Sequence, residues 1–502
     1  MDPVAVFLLS AAGILLVGAL GELVFRRTGF PDVLWLMLGG FCLGPWLGVA
    51  TPSALDPAVP YFASLALAVV VFETGSRCRI AELAGPHRRA AVLGILAFAS
   101  SVLAVAAVAM LAVTMHWLPA DWDWRRALLL GAILGGASST VFLPALLRAR
   151  VDLKAASVAS LESATGETLA IVAACALAVP GPVRAFGSAL AIGIIAGLVW
   201  LLFLKTVRAT NHAYSITLGL LLCLSVGVER AGGVPAMAVL GAALVLGNAP
   251  AISRGLKLND VLDLGEDVRG YHSQLAFLIK AFFFVFLGTR LGPPWGPVAI
   301  GAGLAVVALA ARRPAVALVT GEGSPVAASR PVLNACMPRG LVAGVLGALA
   351  WSRWVPGDPA LPGLVAGCVF ASVALFAVVF PLSTRAVETA PSSAIGPAPA
   401  VAAPSPLPVA PSPVVPPPVM AEDLWATPVP TPPPPPRPAP APVPPAPAWV
   451  PPAIPPRPPS MAPLTARPAA PKPVVSAPAR PEEIIAVAPA DPDIKPGSGF
   501  RW

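Results

Sequence analysis

Charged residues are scarce in this 502-residue chain, since Asp, Glu, Lys and Arg make up 12% of it and hydrophobic residues 56%. A water-soluble domain carries about twice that share of charge, so an ordinary soluble globule is excluded. The apolar residues form continuous blocks as far as about Leu382, and about 20 apolar residues are enough to cross a bilayer as a helix. Because the blocks do not alternate apolar with polar residues, a membrane β-barrel is disfavoured as well.

Signatures of disulfide, metal and enzyme sites are also missing. The six cysteines include no C-x-x-C pair, and no two of the four histidines have metal-ligand spacing. The net charge of +8 comes from short basic clusters between apolar blocks rather than from a basic face with interleaved aromatics. We therefore expect no enzyme, no resident cofactor or metal, and no nucleic-acid partner.

The sequence predicts an all-α polytopic membrane protein with about thirteen transmembrane helices. Their predicted ranges are 4–25, 32–49, 59–76, 89–115, 126–149, 155–178, 183–204, 213–230, 235–249, 271–291, 296–320, 337–354 and 361–382. Lys and Arg collect mainly in alternate loops, such as those after the first, third and fifth helices. Because such loops stay in the cytoplasm, we predict a multi-pass cell-membrane protein with its N-terminus outside.

The composition changes beyond the last apolar block. Residues 385–502 hold most of the prolines, including the run Pro432–Pro436. Proline removes helix donors and favours an extended conformation, so this segment cannot build a packed core. We predict a membrane domain at 1–384 and a disordered, Pro-rich cytoplasmic tail at 385–502. The tail is either an inert extension or a docking segment for a protein that recognises proline-rich sequence.

The sixth predicted span contains two carboxylates, Glu162 and Glu167, and several hydroxyls, including Ser163. Ionisable residues inside a span are costly and mark functional sites. At about 100° per residue, Glu162 and Glu167 point about 140° apart, whereas Ser163 and Glu167 share a face. One carboxylate can therefore face a cavity while the other meets a fixed partner. A carboxyl group removed from water holds its proton more readily, so we expect Glu167 to exchange a proton for a cation.

Two predicted spans are interrupted. The fifth contains a Gly-Gly pair, the consecutive hydroxyls Ser138, Ser139 and Thr140, and then Pro144. The twelfth contains the segment Pro338-Arg339-Gly340. Discontinuous helices expose backbone dipoles at the depth where transporters bind ions, and one such helix in each half of the chain indicates inverted repeats.

Arg312 and Arg313 lie within the long apolar block 296–320. Two interpretations remain open. Either an arginine is buried and forms a structural ion pair with Glu162, or the span ends near Ala311 and both arginines lie among lipid headgroups. The secondary candidates among the charged residues near spans are Glu73, Lys280 and Arg339. Lys280 could instead snorkel to the membrane surface.

Four short motifs, in this order and spacing, resemble those of the monovalent cation/proton antiporter superfamily, the sodium/hydrogen exchangers and their prokaryotic relatives. They are Leu36–Pro45, Phe72–Gly75 (F-E-x-G), Phe282–Gly288 (F-F-x-x-x-G) and Pro338–Leu341, and the resemblance covers about residues 1–384. It implies a fold with two discontinuous crossing helices, secondary active exchange of a monovalent cation for H⁺, and a homodimer.

The resemblance places Glu167 at the family's ion-binding aspartate, and Gly166 where an Asn or Asp usually precedes it. Both positions depart from the pattern, and the single acid favours electroneutral exchange. Three supporting positions also match: the preceding acid (Glu162), the broken-helix pair (Ser138 and Ser139) and the buried base of the eleventh span (Arg312 or Arg313).

The leading hypothesis is therefore an antiporter that exchanges Na⁺ or K⁺ for H⁺ by alternating access. Hard cations require oxygen ligands, and those around Glu167 are expected from Ser163, Ser138, Ser139 and Thr140. The alternative is a non-transporting membrane sensor or scaffold that recruits a partner through its Pro-rich tail.

Overall fold

In the computed structural model, all regular elements of the described residues are helices. The described ranges are 3–48, 55–79, 88–178, 183–207, 212–255, 266–321 and 324–388. The helices are α1 (Pro3–Thr28), α2 (Asp32–Phe41), α3 (Val59–Arg77), α4 (Arg88–Thr114), α5 (Trp124–Gly135), α6 (Ser139–Arg148), α7 (Leu153–Ala178), α8 (Val183–Val207), α9 (Ala213–Arg230), α10 (Pro235–Gly247), α11 (Ala249–Gly255), α12 (Glu266–Thr289), α13 (Trp295–Val319), α14 (Arg330–Ala335), α15 (Leu341–Leu349) and α16 (Leu361–Glu388). The predicted all-α fold is confirmed.

The helices account for the predicted spans. Within the described ranges, nine helical segments are long and apolar enough to cross a membrane, and α10 with α11, bent by 67°, makes a tenth. Shorter apolar helices stand at the three remaining predicted positions: Leu15–Phe25, Asp32–Trp46 and Leu341–Trp354. The bilayer imposes these lengths, because a membrane helix must span the hydrocarbon core and satisfy its own backbone.

Glycines set the closest helix contacts. Gly40 of α2 faces Gly288 of α12, and a Cβ at either position would lie 1.9 Å or 2.1 Å from a backbone oxygen of the facing helix. Without a hydrophobic force between helices in lipid, such small residues allow the close packing that holds membrane helices together. This contact joins two of the segments in which the sequence motifs were found.

Two discontinuous helices cross in the interior. The α5–α6 break spans Gly136–Ser138, where Gly136 and Ser138 have extended backbone, and the α14–α15 break spans Cys336–Gly340. The Ser138 N–H donates to the Pro338 carbonyl at 2.9 Å, so the breaks touch directly. The predicted start of the twelfth span at residue 337 is wrong, because the short half-helix α14 already begins at Arg330.

The last helix, α16, ends at Glu388, slightly beyond the predicted domain boundary at 384. The predicted Pro-rich tail lies outside the described residues from position 389 onward.

Candidate functional site

Helix α7 is joined to the α5–α6 break by a serine hydroxyl. The Ser163 hydroxyl accepts a hydrogen bond from the Ser139 N–H at 2.7 Å and donates one to the Ala137 carbonyl at 2.8 Å. These backbone groups lost their helical partners where the helix breaks, and a buried backbone group without a partner is costly. Ser163 is itself buried, so it fixes the break against α7.

Glu167 lies one turn after Ser163 on the same face of α7, with 5% of its surface exposed. Its carboxylate lies near the Ser138 hydroxyl. The Ser138 and Thr140 hydroxyl oxygens are 2.9 Å apart. A buried carboxylate, two side-chain hydroxyls and the exposed backbone of a broken helix therefore meet at one point. Such a set can hold either a proton or a cation that prefers oxygen ligands.

Glu162 points away from Glu167 and forms a buried ion pair with Arg312, each residue being 3% exposed. Both terminal guanidinium nitrogens donate to the carboxylate, and Nη2 lies 2.6 Å from Oε2. Arg312 also donates to the Leu333 carbonyl at the end of α14, from Nε at 3.1 Å and Nη2 at 2.9 Å. Helix α13 thus continues through both arginines. Arg313, which the sequence offered as an equal candidate, is exposed and outside this pair, because it lies 100° further round the helix.

Arg339 lies in the second break and caps the first. Its Nη1 donates to the Gly135 carbonyl at 2.9 Å, and its Nη2 lies 3.4 Å from the Ser101 hydroxyl. Both half-helices that precede a break, α5 and α14, therefore end on a carbonyl bound by a buried arginine. The C-terminus of a helix carries partial negative charge, so a cation is stabilising there. The sequence offered Arg339 as a secondary candidate and as part of a motif, and arginine beside a helix end is itself a signal.

A small cavity adjoins Gly166 of α7. It is also lined by Glu162, Arg312 and Arg339. A Cβ at Gly166 would make only ordinary contacts, the nearest at 3.7 Å. A small side chain at the position before Glu167 would therefore fit.

Glu73 and Arg77, one turn apart at the end of α3, form an ion pair beside the site. Arg77 Nη1 also lies 3.5 Å from the Ser139 hydroxyl oxygen. Both residues line two cavities of about 630 Å³ and 700 Å³, and the second is also lined by Ser139 and Thr140. We call these two cavities the funnel. The sequence did not single out Arg77 as a site residue, although an acid and a base four residues apart on a helix commonly form an ion pair.

Lys280 lies in the wall of the funnel, where its Nζ is 2.5 Å from Asp32 Oδ2. It is therefore held in an ion pair between α12 and α2, and does not extend freely to the surface. Asp32 was not a candidate from the sequence, since nothing local links two residues so far apart.

A helical membrane protein in which two broken helices cross beside a buried carboxylate has the architecture of a secondary ion transporter. The chain matches the family described as sodium/hydrogen exchanger, transmembrane, over residues 12–382, and it belongs to this family. Its class of function is accordingly cation/proton antiport.

Solved structures show the same fold. The structure of the sodium proton antiporter MjNhaP1 from Methanocaldococcus jannaschii at pH 8 is 18% identical, with a TM-score of 0.61, and the match covers 76% of this chain and 99% of that one. An electron-microscopy map of the same antiporter gives 19% identity and a TM-score of 0.60, with 77% and 98% of the two chains covered. Among curated protein sequences, none matches this chain.

Proposed function

We propose that this protein exchanges Na⁺ or K⁺ for H⁺ electroneutrally, with Glu167 as the group that binds the two ions in turn. The observation that carries the proposal is the burial of Glu167 at the crossing of the two breaks, beside Ser138. An ionised carboxylate without a partner is very costly in such a place. Glu167 therefore requires either a proton or a cation, and each must displace the other.

The ligands around a bound cation follow from the hydrogen bonds already made. We assign the Ser138 and Thr140 hydroxyls and backbone carbonyls of the break as principal ligands. Ser139 lies beside them but also faces Arg77. Ser163 donates its only proton to Ala137 and accepts from Ser139, so one lone pair remains for an ion. Its main role is to hold the break.

The charge balance supports electroneutral exchange. Because residue 166 is glycine, the position before Glu167 adds no second carboxylate. One proton or one monovalent cation then neutralises Glu167 equally, which gives one H⁺ for each cation. The Glu162–Arg312 pair and Arg339 stay fixed during this exchange and keep the half-helices in place.

We further propose that the site moves with the broken helices against the rest of the protein, as in alternating access, and that the protein is a homodimer of the cell membrane. The N-terminus would lie outside, and the Pro-rich tail would face the cytoplasm, where it could bind a partner protein.

Cation-induced dissipation of a pH gradient in everted vesicles tests the exchange. Addition of Na⁺ or K⁺ to vesicles with the native protein is expected to restore the fluorescence of a ΔpH dye. Glu167→Gln keeps the shape but cannot ionise, and we expect it to lower the rate at least about a hundredfold, to the background of empty vesicles. Glu229→Gln, at an exposed carboxylate far along the chain, is the matched control and should behave like the native protein.

Three other results would decide against parts of the proposal. No response of the native protein to either cation at any pH would favour the sensor or scaffold. A response that survives in Glu167→Gln would move the binding site elsewhere. A rate that changes when the membrane potential is clamped would contradict electroneutrality.

A further inference from the structure

Arg77 occupies an unusual place for a charge of the same sign as the transported ion. It is the last residue of α3, and its side chain is 44% exposed. Its Nη2 binds Glu73, and its Nη1 reaches Ser139, the first residue of α6, 62 residues along the chain. The guanidinium thus bridges the helix that carries Glu73 and the broken helix beside Glu167.

Arg77 lies where the funnel approaches the broken helix α5–α6. Arg77 and Glu73 line both of its cavities, and Ser139 and Thr140 line one of them. Glu167 is not among the described residues that line either cavity, but Arg77 and Glu73 are the charged groups that act on it electrostatically. A cation that enters through the funnel and approaches Ser139 and Thr140 therefore comes close to the guanidinium.

A purely structural role accounts poorly for this geometry. A partly exposed ion pair between residues four apart on one helix contributes little to stability. Such a pair does not require a second contact across the funnel.

We propose that Arg77 is a tethered cation that competes with the transported ion for the site, and so sets the cation affinity on the funnel side. With the site empty, its charge faces Ser139 and Glu167 and partly replaces the missing ion. An entering cation displaces the guanidinium from Ser139, and Glu73 then holds it aside. This inference rests on the proposed exchange at Glu167.

The test compares Arg77→Gln, Arg77→Lys and Arg353→Gln in everted vesicles, with Na⁺ or K⁺ added on the side predicted to be cytoplasmic. At a pH high enough to keep Glu167 ionised, Arg77→Gln is expected to lower the KM for the cation about tenfold, because a unit charge several ångströms away in a partly solvated site acts on that scale. Arg77→Lys retains the charge and should keep the KM within about twofold of native. Arg353 is equally exposed, at 45%, and pairs with one carboxylate, so Arg353→Gln is the matched control.

An unchanged or higher KM in Arg77→Gln, with native protein active, would overturn the inference and leave the proposed exchange standing. If the native protein shows no cation-dependent flux, the proposed exchange fails instead. Calorimetric titration of purified protein with Na⁺ then still tests Arg77, since tighter binding in Arg77→Gln supports the competition and equal binding refutes it. Arg77→Met, which is also neutral and of similar length, replaces the glutamine variant if that one does not fold.

Discussion

Arg312→Gln is expected to lower the yield and the apparent melting temperature of folded protein strongly, whereas Arg313→Gln, one residue further, should leave stability within about 0.5 kcal/mol of native. The first substitution leaves the Glu162 carboxyl buried without its partner, and removes both donors to the Leu333 carbonyl. Breaking a buried ion pair from one side costs about 3–5 kcal/mol. Gel filtration in detergent and the apparent melting temperature measure the difference between these adjacent arginines.

The double variant Glu162→Gln/Arg312→Gln sharpens this test. Removing both charges abolishes the unpaired carboxylate, so the double variant should melt well above Arg312→Gln alone. It should still melt below native, because the Leu333 carbonyl keeps no arginine. Equal melting temperatures for the Arg312 and Arg313 variants would show that the buried pair is not what holds α7, α13 and α14 together.

Gly340→Ala is the second change expected to have a large effect. An added Cβ would lie 2.1 Å from the Ser138 hydroxyl oxygen and 2.3 Å from the Ser138 Cβ. The hydroxyl can rotate, but the Cβ is fixed by its backbone, so the two breaks must separate. Overpacking of this kind costs about 1–3 kcal/mol. We expect at least about a tenfold loss of exchange, because Ser138 lies at the carboxylate of Glu167.

A compensating change distinguishes this clash from a general effect of alanine. Ser138→Gly combined with Gly340→Ala removes both close atoms and should recover the melting temperature, but not the exchange rate, since the hydroxyl is lost. Gly303→Ala, at an exposed helical position with nothing within 4 Å of the added Cβ, is the control. If Gly340→Ala melts and transports like that control, the breaks do not touch as closely as described.

Most of the fold was predictable from the sequence, because the bilayer fixes the length of a span and leaves helices as the favoured backbone. The opposite directions of Glu162 and Glu167 followed from the helical period alone. The half-helix α14 was missed because Arg330–Ala335 is too short and too polar at its start to register as a span.

The partners of charged residues were harder to predict. Arg312 and Arg313 are indistinguishable in sequence, and only the rotation of α13 against its neighbours decides which is buried. The pair Lys280–Asp32 and the contact of Arg77 with Ser139 join distant parts of the chain. Such contacts depend on tertiary packing, which cannot be predicted from a local sequence pattern.

The central claim is that a proton and a cation compete for Glu167. The most direct measurement adds Na⁺ or K⁺ to purified protein in weakly buffered detergent solution and counts the protons released over a range of pH values. The account predicts about one proton released for each cation bound at pH values where Glu167 is protonated, fewer as the pH rises, and neither binding nor release in Glu167→Gln. Cation binding without proton release at every pH in the native protein, or unchanged release in Glu167→Gln, would contradict it.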